Sequence, residues 1–558
     1  MRNSFLPSIV GILILAFLLR TIALTSYPVG FNPDEASFGY DAYSLLKTGK
    51  DQWGEPWPLT FRSFGDFKLP LYTYLTIPSV SIFGLSEFST RLPGALLGTL
   101  AVLATFLLTT RLFRDRRLGI LAALLLAISP WHISLSRGAF EANLTTFFIP
   151  LGAWAFLRGL KIPKWMVLSS FVFGINLFSY HSARLFTPLL VAVLIWFYRD
   201  GFTPLHKGVI KYKWALTTFL VFLVVAGYTM FLGAGERGAD VAIFNPTDRW
   251  ASVADRRYEA VLQGFPGFLE RIFVNKGTYV FDQFIGGYFS YLSPQFLFTQ
   301  GAGEWTYGMI PGRGVLYLVE LPFILTAVWL FLKKRDPALS IIVLWILLSP
   351  IPAALAKGPG FAANRAAIMM PAIQILSAYG GIALFNALVK RSRISKRFLL
   401  SCYLVILFAS LTFFLEDYRY HAPVQGAPSM LYGRRAATEF IKSVEDKYQG
   451  IIFSRSLSEP QIYVAFYKQW DPSDYQRDTP DWLRYEKEGR SFLDQLGEYR
   501  LGKYVFRGIG KTEGFGQLLV GKPEEFPQNI VALKTIYYPS GKTAILIVDP
   551  AVQVYANK

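Results

Sequence analysis

The sequence predicts a polytopic α-helical membrane protein with a small α/β domain at its C-terminal end. Three observations carry that reading. Of 558 residues, 53% are hydrophobic and 17% charged, against roughly 25% charged in ordinary soluble domains. Apolar stretches long enough to span a bilayer recur along the first three quarters of the chain. Basic residues gather in short clusters between them: "RLFRDRR" (111–117), "RGLKIPK" (158–164), "KGVIKYK" (207–213), "KKR" (333–335) and "KRSRISKR" (390–397).

The formal charge of +18 does not read as nucleic-acid binding, because it sits where cytoplasmic loops meet anionic lipid. The first stretch, "MRNSFLPSIVGILILAFLLR", has the look of a signal peptide, but the "ALTSYP" after it is a poor cleavage site, so it reads as a retained span. Taken in order, about eleven spans are expected, near 5–24, 91–110, 118–133, 142–158, 165–181, 185–198, 214–232, 315–332, 338–356, 366–389 and 398–415. With the N-terminus inside, every basic cluster falls on the cytoplasmic face of a plasma (inner) membrane. The single cysteine, Cys402, excludes an intrachain disulfide.

That topology divides the chain into a membrane domain, 1–415, and an extracytoplasmic α/β domain, 416–558. It leaves two further long segments outside, about 25–90 and about 233–314. Both are rich in aromatic residues, as in "FDQFIGGYFSYLSPQFLF" (281–298), which suits helices lying at headgroup depth. In the tail, "RRAATEFIKSVEDKY" (434–448) reads as a helix and "GIIFS" as a strand. "LGKYVFRG" reads as another strand, and "TIYYPSGKTAILIV" as a hairpin turned at "PSGK".

The candidate chemistry lies in the outer segments. In "GFNPDEASFGYDAY" (30–43), Asp34 and Glu35 follow the first span, and adjacent carboxylates beside lipid need a task or a partner. Asp34 also suits a helix cap. "FGDFKLPLYTYL" (64–75) brings Asp66 and Lys68, and "LSRGAFEANLTTFF" (135–148) puts Glu141 at the mouth of a span. His181 and Arg184 in "YHSARLF" stand at an outer span end, with Arg313 and Arg365 in later outer segments, while Arg20 reads as a residue snorkelling to the outer interface. Acids beside a cation at one membrane face suit a reaction in which a carboxylate takes a hydroxyl proton while a lipid-linked phosphate departs.

The stretches "FNPDEASFGYDAY", "DFKLPLYTYL", "SRGAFEANLTTFF" and "FAANRAAIMMPAIQILSAYGG" (361–381) together resemble the GT-C integral-membrane glycosyltransferases. That group contains the protein O-mannosyltransferases and the aminoarabinose transferases of lipid A. The similarity covers about 1–415 as pattern. Relatives usually read acid-Lys-Pro-Pro where this chain has Asp66-Phe67-Lys68-Leu69-Pro70, which makes the role of the acid less defined than that of the lysine. The resemblance implies inverting transfer of a sugar from a polyprenyl phosphate to a hydroxyl of an extracytoplasmic acceptor. Asp34 would be the base and Glu35 would place the acceptor or support Asp34. Lys68 and Arg365 would hold the donor phosphate, and Asp66, Glu141, His181 and Arg184 would bind substrate or acceptor. No organic cofactor is expected, and a divalent cation stays open because the first outer segment lacks Asp-x-Asp. A transporter or flippase of lipid-linked sugars, or an accessory protein binding cell-wall polymer, are the alternatives.

Overall fold

A helix occupies every apolar stretch singled out above. They are Leu6–Thr21, Glu87–Phe113, Arg116–Ile128, Thr145–Gly159, Pro163–Asn176, His181–Phe197, Lys213–Thr229, Leu321–Lys334, Pro337–Leu348, Ala372–Arg391 and Lys396–Glu416. The structure, a computed structural model, describes residues 6–202, 210–231, 242–358, 360–391, 395–510 and 516–552. Among these, four helices are long and apolar enough to cross a membrane on their own: Glu87–Phe113, Pro337–Ala354, Ala367–Arg391 and Lys396–Gly426. Others are short of the roughly 20 residues a straight crossing needs, such as Leu6–Thr21 with 16 and Thr145–Gly159 with 15.

Two expected boundaries are corrected. The stretch at 118–133 is not one helix: Arg116–Ile128 ends, and the chain bends by 59° into Pro130–Ser136. The cause is local, since Ser129 accepts the His132 N–H as a cap and Pro130 opens the new helix at its first position. The last apolar helix also runs past 415, through a π turn at Asp417–His421 to Gly426, because no glycine or proline intervenes before Pro423.

The segment after the first helix folds into two helices, Pro33–Thr48 and Leu71–Phe83, around a short hairpin of β1 (Phe61–Arg62) and β2 (Phe67–Lys68). The tail begins with the expected helix Arg434–Val444 and builds a six-stranded sheet in the order β4-β5-β3-β6-β8-β7. Its strands are β3 (Gly450–Ser454), β4 (Glu498–Leu501), β5 (Tyr504–Arg507), β6 (Gln517–Gly521), β7 (Lys534–Tyr537) and β8 (Thr543–Val548). Central β3 runs parallel to both β5 and β6, and the outer pairs are antiparallel. "LGKYVFRG" is thus the end of one strand and the whole of the next, turned at Gly502, which takes a φ of 56°.

The tail is not a separate body. Ile451, Phe453, Ile462 and Tyr463 share one apolar core with Phe31, Ala36, Tyr40 and Phe64. The Tyr463 hydroxyl donates to the Phe31 carbonyl at 2.8 Å, and the Leu493 N–H to the Phe64 carbonyl at 3.1 Å. At Gly65 a Cβ would lie 2.3 Å from the Ser491 carbonyl oxygen, so only glycine lets the hairpin and the tail approach this closely. Phe31, Tyr40 and Phe64 are therefore buried against the tail, whereas Phe38 and Tyr72 pack with Phe148 and Val172, and Trp57 stays exposed.

Candidate active site

The helix Pro33–Thr48 starts where it does because of a reciprocal cap. Asn32 Oδ1 accepts the Glu35 N–H at 2.8 Å, Glu35 Oε2 accepts the Asn32 N–H at 3.2 Å, and Pro33 fills the first position. Asn32, not Asp34, is the cap. Asp34 instead faces the β hairpin, with its Oδ1 2.8 Å from Lys68 Nζ. The Lys68 side chain is 2% exposed and that of Asp34 42%, which makes the pair a dry ammonium meeting a wet carboxylate. The rings of Phe38 and Phe64, 4.8 and 5.5 Å from Nζ, hold the ammonium from either side.

Glu35 points the other way and is wholly buried. Its Oε1 accepts Arg91 Nε at 2.8 Å and the Ala139 N–H at 2.9 Å, and its Oε2 accepts Arg91 Nη2 at 2.9 Å. Arg91 in turn donates to the carbonyls of Leu24, Pro28 and Gly30. The ion pair therefore clamps the segment that follows the first helix, the site helix and the turn at 137–140 together. Two more arginines repeat the device. Arg137 donates to the carbonyls of Leu19, Ile22, Ala23 and Tyr27. Arg20 is buried rather than snorkelling, donating to Ala16 and Ala127 carbonyls and to His132 Nδ1 at 2.7 Å.

The other expected residues are spread around this centre. Asp66 sits half-buried in the β1–β2 turn, and its carbonyl accepts the Ser63 N–H. Glu141 opens a short 3₁₀ turn two residues after Ala139, whose N–H binds Glu35. His181 begins its helix three residues after Phe178, whose carbonyl accepts the Leu71 N–H just beyond Lys68. Arg184 turns aside, its Nη2 donating to Thr229 Oγ1 at 2.7 Å and its Nε to the Leu177 carbonyl. Arg365 donates to the Lys357 carbonyl at 2.6 Å and lines a cavity of about 280 Å³ with Glu304, Tyr291 and Lys357. Asp34 and Lys68 are not on that wall. Arg313 pairs with Asp417. Among the described residues, the acids and histidine placed closely enough to share a cation are Glu416, Asp417 and His421, not the acids at positions 34 and 35.

Two groups of buried acids near Lys68 gave no signal in the sequence. Asp41 Oδ1 accepts the Gln52 N–H at 3.0 Å, and Ser37 and the Gln52 amide donate to its Oδ2. Burial first, then the charge of Asp51, pushes Asp41 up to about 8, while Lys68 pulls it part of the way back. Burial likewise raises Asp51 to about 6. The second group comes from the tail. Glu459 follows β3, in a left-handed conformation it shares with Ser458, at the head of helix Pro460–Lys468. Its carboxylate accepts Gln461 Nε2 at 2.8 Å, and its N–H donates to Asp494 at 3.2 Å. Burial, then Asp494, pushes Glu459 well above the usual carboxylate range, and the charges of Lys68 and Asp34 both reach it. Non-glycine residues with positive φ concentrate where surrounding structure forces them, often at functional sites.

Comparison with known proteins places this geometry in context. Residues 68–228 match the model of the dolichyl-phosphate-mannose-protein mannosyltransferase family. That stretch begins at Lys68 and includes Arg91, Glu141, His181 and Arg184. An uncharacterized protein of Aquifex aeolicus (strain VF5) is 26% identical over 242 residues, 41% of this chain and 44% of that protein. The chain thus spans less than half of this curated relative. ArnT from Cupriavidus metallidurans superposes with a TM-score of 0.53 in its apo state, at 12% identity over 98% of both chains. Its undecaprenyl-phosphate-bound structure gives 0.52 at 13% identity over 97% of both. The archaeal oligosaccharyltransferase AglB from Archaeoglobus fulgidus gives 0.45 at 16% identity, over 83% of this chain and 64% of that one. The chain has the fold of ArnT from end to end and is similar to the GT-C glycosyltransferases.

Proposed function

We propose that the chain is a membrane glycosyltransferase that moves a sugar from a polyprenyl phosphate to a hydroxyl of an extracytoplasmic acceptor. The observation that supports this most is the 2.8 Å pair of buried Lys68 and accessible Asp34. In the resting protein the two form an ion pair, while among the described residues the buried Lys68 ammonium makes no hydrogen bond. A donor phosphate arriving at Lys68 would compete for the ammonium and leave the Asp34 carboxylate as a base. Asp34 would then take the acceptor proton as the acceptor oxygen bonds to the anomeric carbon. The bond from that carbon to the phosphate oxygen breaks in the same step, with inversion, and Lys68 holds the charge that grows on the phosphate.

Around that step, Glu35 supports Asp34 by fixing the helix start through Arg91. Glu459, from the tail, would hydrogen-bond a sugar or acceptor hydroxyl, its carboxyl pushed well above the usual carboxylate range by burial and by Asp494. Asp66, Glu141, His181 and Arg184 would bind substrate or acceptor, and Arg365 would be a second anion-holding group. Lys68 supplies the counter-charge, so this reading needs no divalent cation. In the same reading all eleven apolar helices cross the plasma membrane, shorter ones in register with neighbours, with the N-terminus cytoplasmic and the tail outside. Incubation of purified protein with a radiolabelled polyprenyl-phosphate sugar and extracted cell-envelope acceptors tests it. Release of polyprenyl phosphate together with labelled acceptor is expected, and movement of intact donor across vesicles without turnover would indicate a transporter instead.

A further inference from the structure

The helix that carries Arg91 ends, about 30 Å away at 1.5 Å per residue, at a different kind of site. A cavity of about 1020 Å³ opens there, ringed by Arg111, Arg114, Arg116, Arg158 and Lys161. No acid lines it, and among the described residues none of these cations has a carboxylate within ion-pair distance. Three acids lie close by, Asp115, Asp200 and Asp336, and two of them are engaged as helix caps. Asp115 accepts the N–H groups of Arg117 and Leu118, and Asp336 those of Ala338 and Leu339, each capping a helix. Arg158 is held in place, its guanidinium 4.2 Å from the Trp165 ring and 5.2 Å from that of Trp154.

Five like charges around one concavity repel one another, and their field concentrates anions there. The rest of the wall selects the kind of anion. It is apolar, with Leu6, Phe106 and Leu157 on it, and at Leu6 it runs out onto the exposed apolar face of the first helix, where Leu6 is 65% and Ile14 55% exposed. A small hydrated ion would leave that surface wet, whereas an amphiphile with an anionic head covers both parts. Basic pockets between membrane helices recognise lipid head groups in this way.

We propose that this cavity seats the phosphate head group of an anionic glycerophospholipid, with its acyl chains along the apolar wall and the first helix. The site is remote from Asp34 and Lys68 and does not depend on the activity proposed for them.

The full-length protein, purified and exposed to equal phosphatidylglycerol and phosphatidylcholine, is examined by native mass spectrometry for retained lipid. Phosphatidylglycerol should be retained preferentially. Arg111→Gln and Arg158→Gln should each weaken retention about fivefold, the loss expected per cation near a lipid surface. Arg116→Gln, which alters an exposed side chain and leaves the Asp115 cap intact, guards against a folding artefact and should act in the same direction. Lys333→Gln with Lys334→Gln, a basic pair off the cavity wall, should change nothing. Equal retention of both lipids would overturn the proposal, as would cavity variants that behave like the Lys333 and Lys334 control. So would displacement of the lipid by soluble glycerol phosphate at equal concentration, or preference for undecaprenyl phosphate.

Discussion

Glu35 and Arg91 form a bidentate pair: the guanidinium grips both carboxylate oxygens at 2.8 and 2.9 Å, and both side chains are sealed from solvent. Breaking such a pair from one side leaves a buried charge uncompensated, at roughly 3–5 kcal/mol. Arg91→Ala and Glu35→Ala are therefore expected to lose thermal stability heavily. The double substitution should cost clearly less than the sum of the two, because it leaves no lone charge. Additive losses in a double-mutant cycle would show that the two residues do not act as a unit.

Asp34 and Lys68 should separate catalysis from binding. Asp34→Asn removes the proposed base and should lower turnover about 10²–10⁴-fold, while leaving undecaprenyl phosphate binding intact or tighter, since the competing carboxylate is gone. Lys68→Ala should abolish that binding. Undiminished turnover in Asp34→Asn removes Asp34 from the chemistry, and unchanged lipid binding in Lys68→Ala removes Lys68 from the phosphate site.

Donor binding should withstand chelation. The wild-type protein is expected to bind undecaprenyl phosphate equally before and after dialysis against EDTA, because the proposed phosphate site takes its positive charge from Lys68. Loss of binding restored by added Mg²⁺ or Mn²⁺ would place a cation between phosphate and protein.

Much of this arrangement was legible in the sequence because local rules set it. Among the described residues a helix occupies each of the eleven apolar stretches that hydropathy singled out, though it passed over the apolar helix Leu71–Phe83, and "NPDE" places a proline and two acids at a helix start, which the Asn32–Glu35 box realises. Sequence alone did not reveal which of the two adjacent acids would be buried. That depends on Arg91, an ordinary-looking residue in "RLPGALL" that lies 56 positions from Glu35. The tail's contribution was equally hidden. Glu459 in "LSEPQ" has no motif, and it matters only because the sheet packs on Phe31 and Tyr40, a long-range contact that no periodicity encodes.

The acids beneath the sheet should give stability a distinctive pH dependence. An unfolded aspartate releases its proton near its ordinary value of 3.8, whereas burial keeps Asp41 protonated up to about 8. Between those values the folded protein holds a proton that the unfolded chain does not, so stability falls as pH rises, by at most about 1.4 kcal/mol per pH unit for one group. Asp51 adds a fall of the same sign only up to about 6. Thermal melts in detergent should therefore decline from pH 6 to 8, and Asp41→Asn should flatten that interval. Parallel wild-type and variant curves would place the Asp41 proton elsewhere.

Glu459 provides the sharpest test of whether the tail takes part in the chemistry. Burial and Asp494 push its carboxyl well above the usual carboxylate range, which favours the protonated form, and the charges of Lys68 and Asp34 reach it. A neutral carboxyl resembles an amide, so Glu459→Gln should keep turnover within a few-fold of wild type, while Glu459→Ala should lose tenfold or more through the missing hydrogen bond. The pH profile distinguishes this from packing alone. As pH rises, wild-type Glu459 ionises and sets a negative charge beside the proposed phosphate site, so wild-type turnover should drop on the alkaline side where Glu459→Gln stays level. If instead Gln and Ala lose activity equally, and their alkaline limbs match the wild type, then the sheet merely roofs the site and Glu459 is one of its rafters.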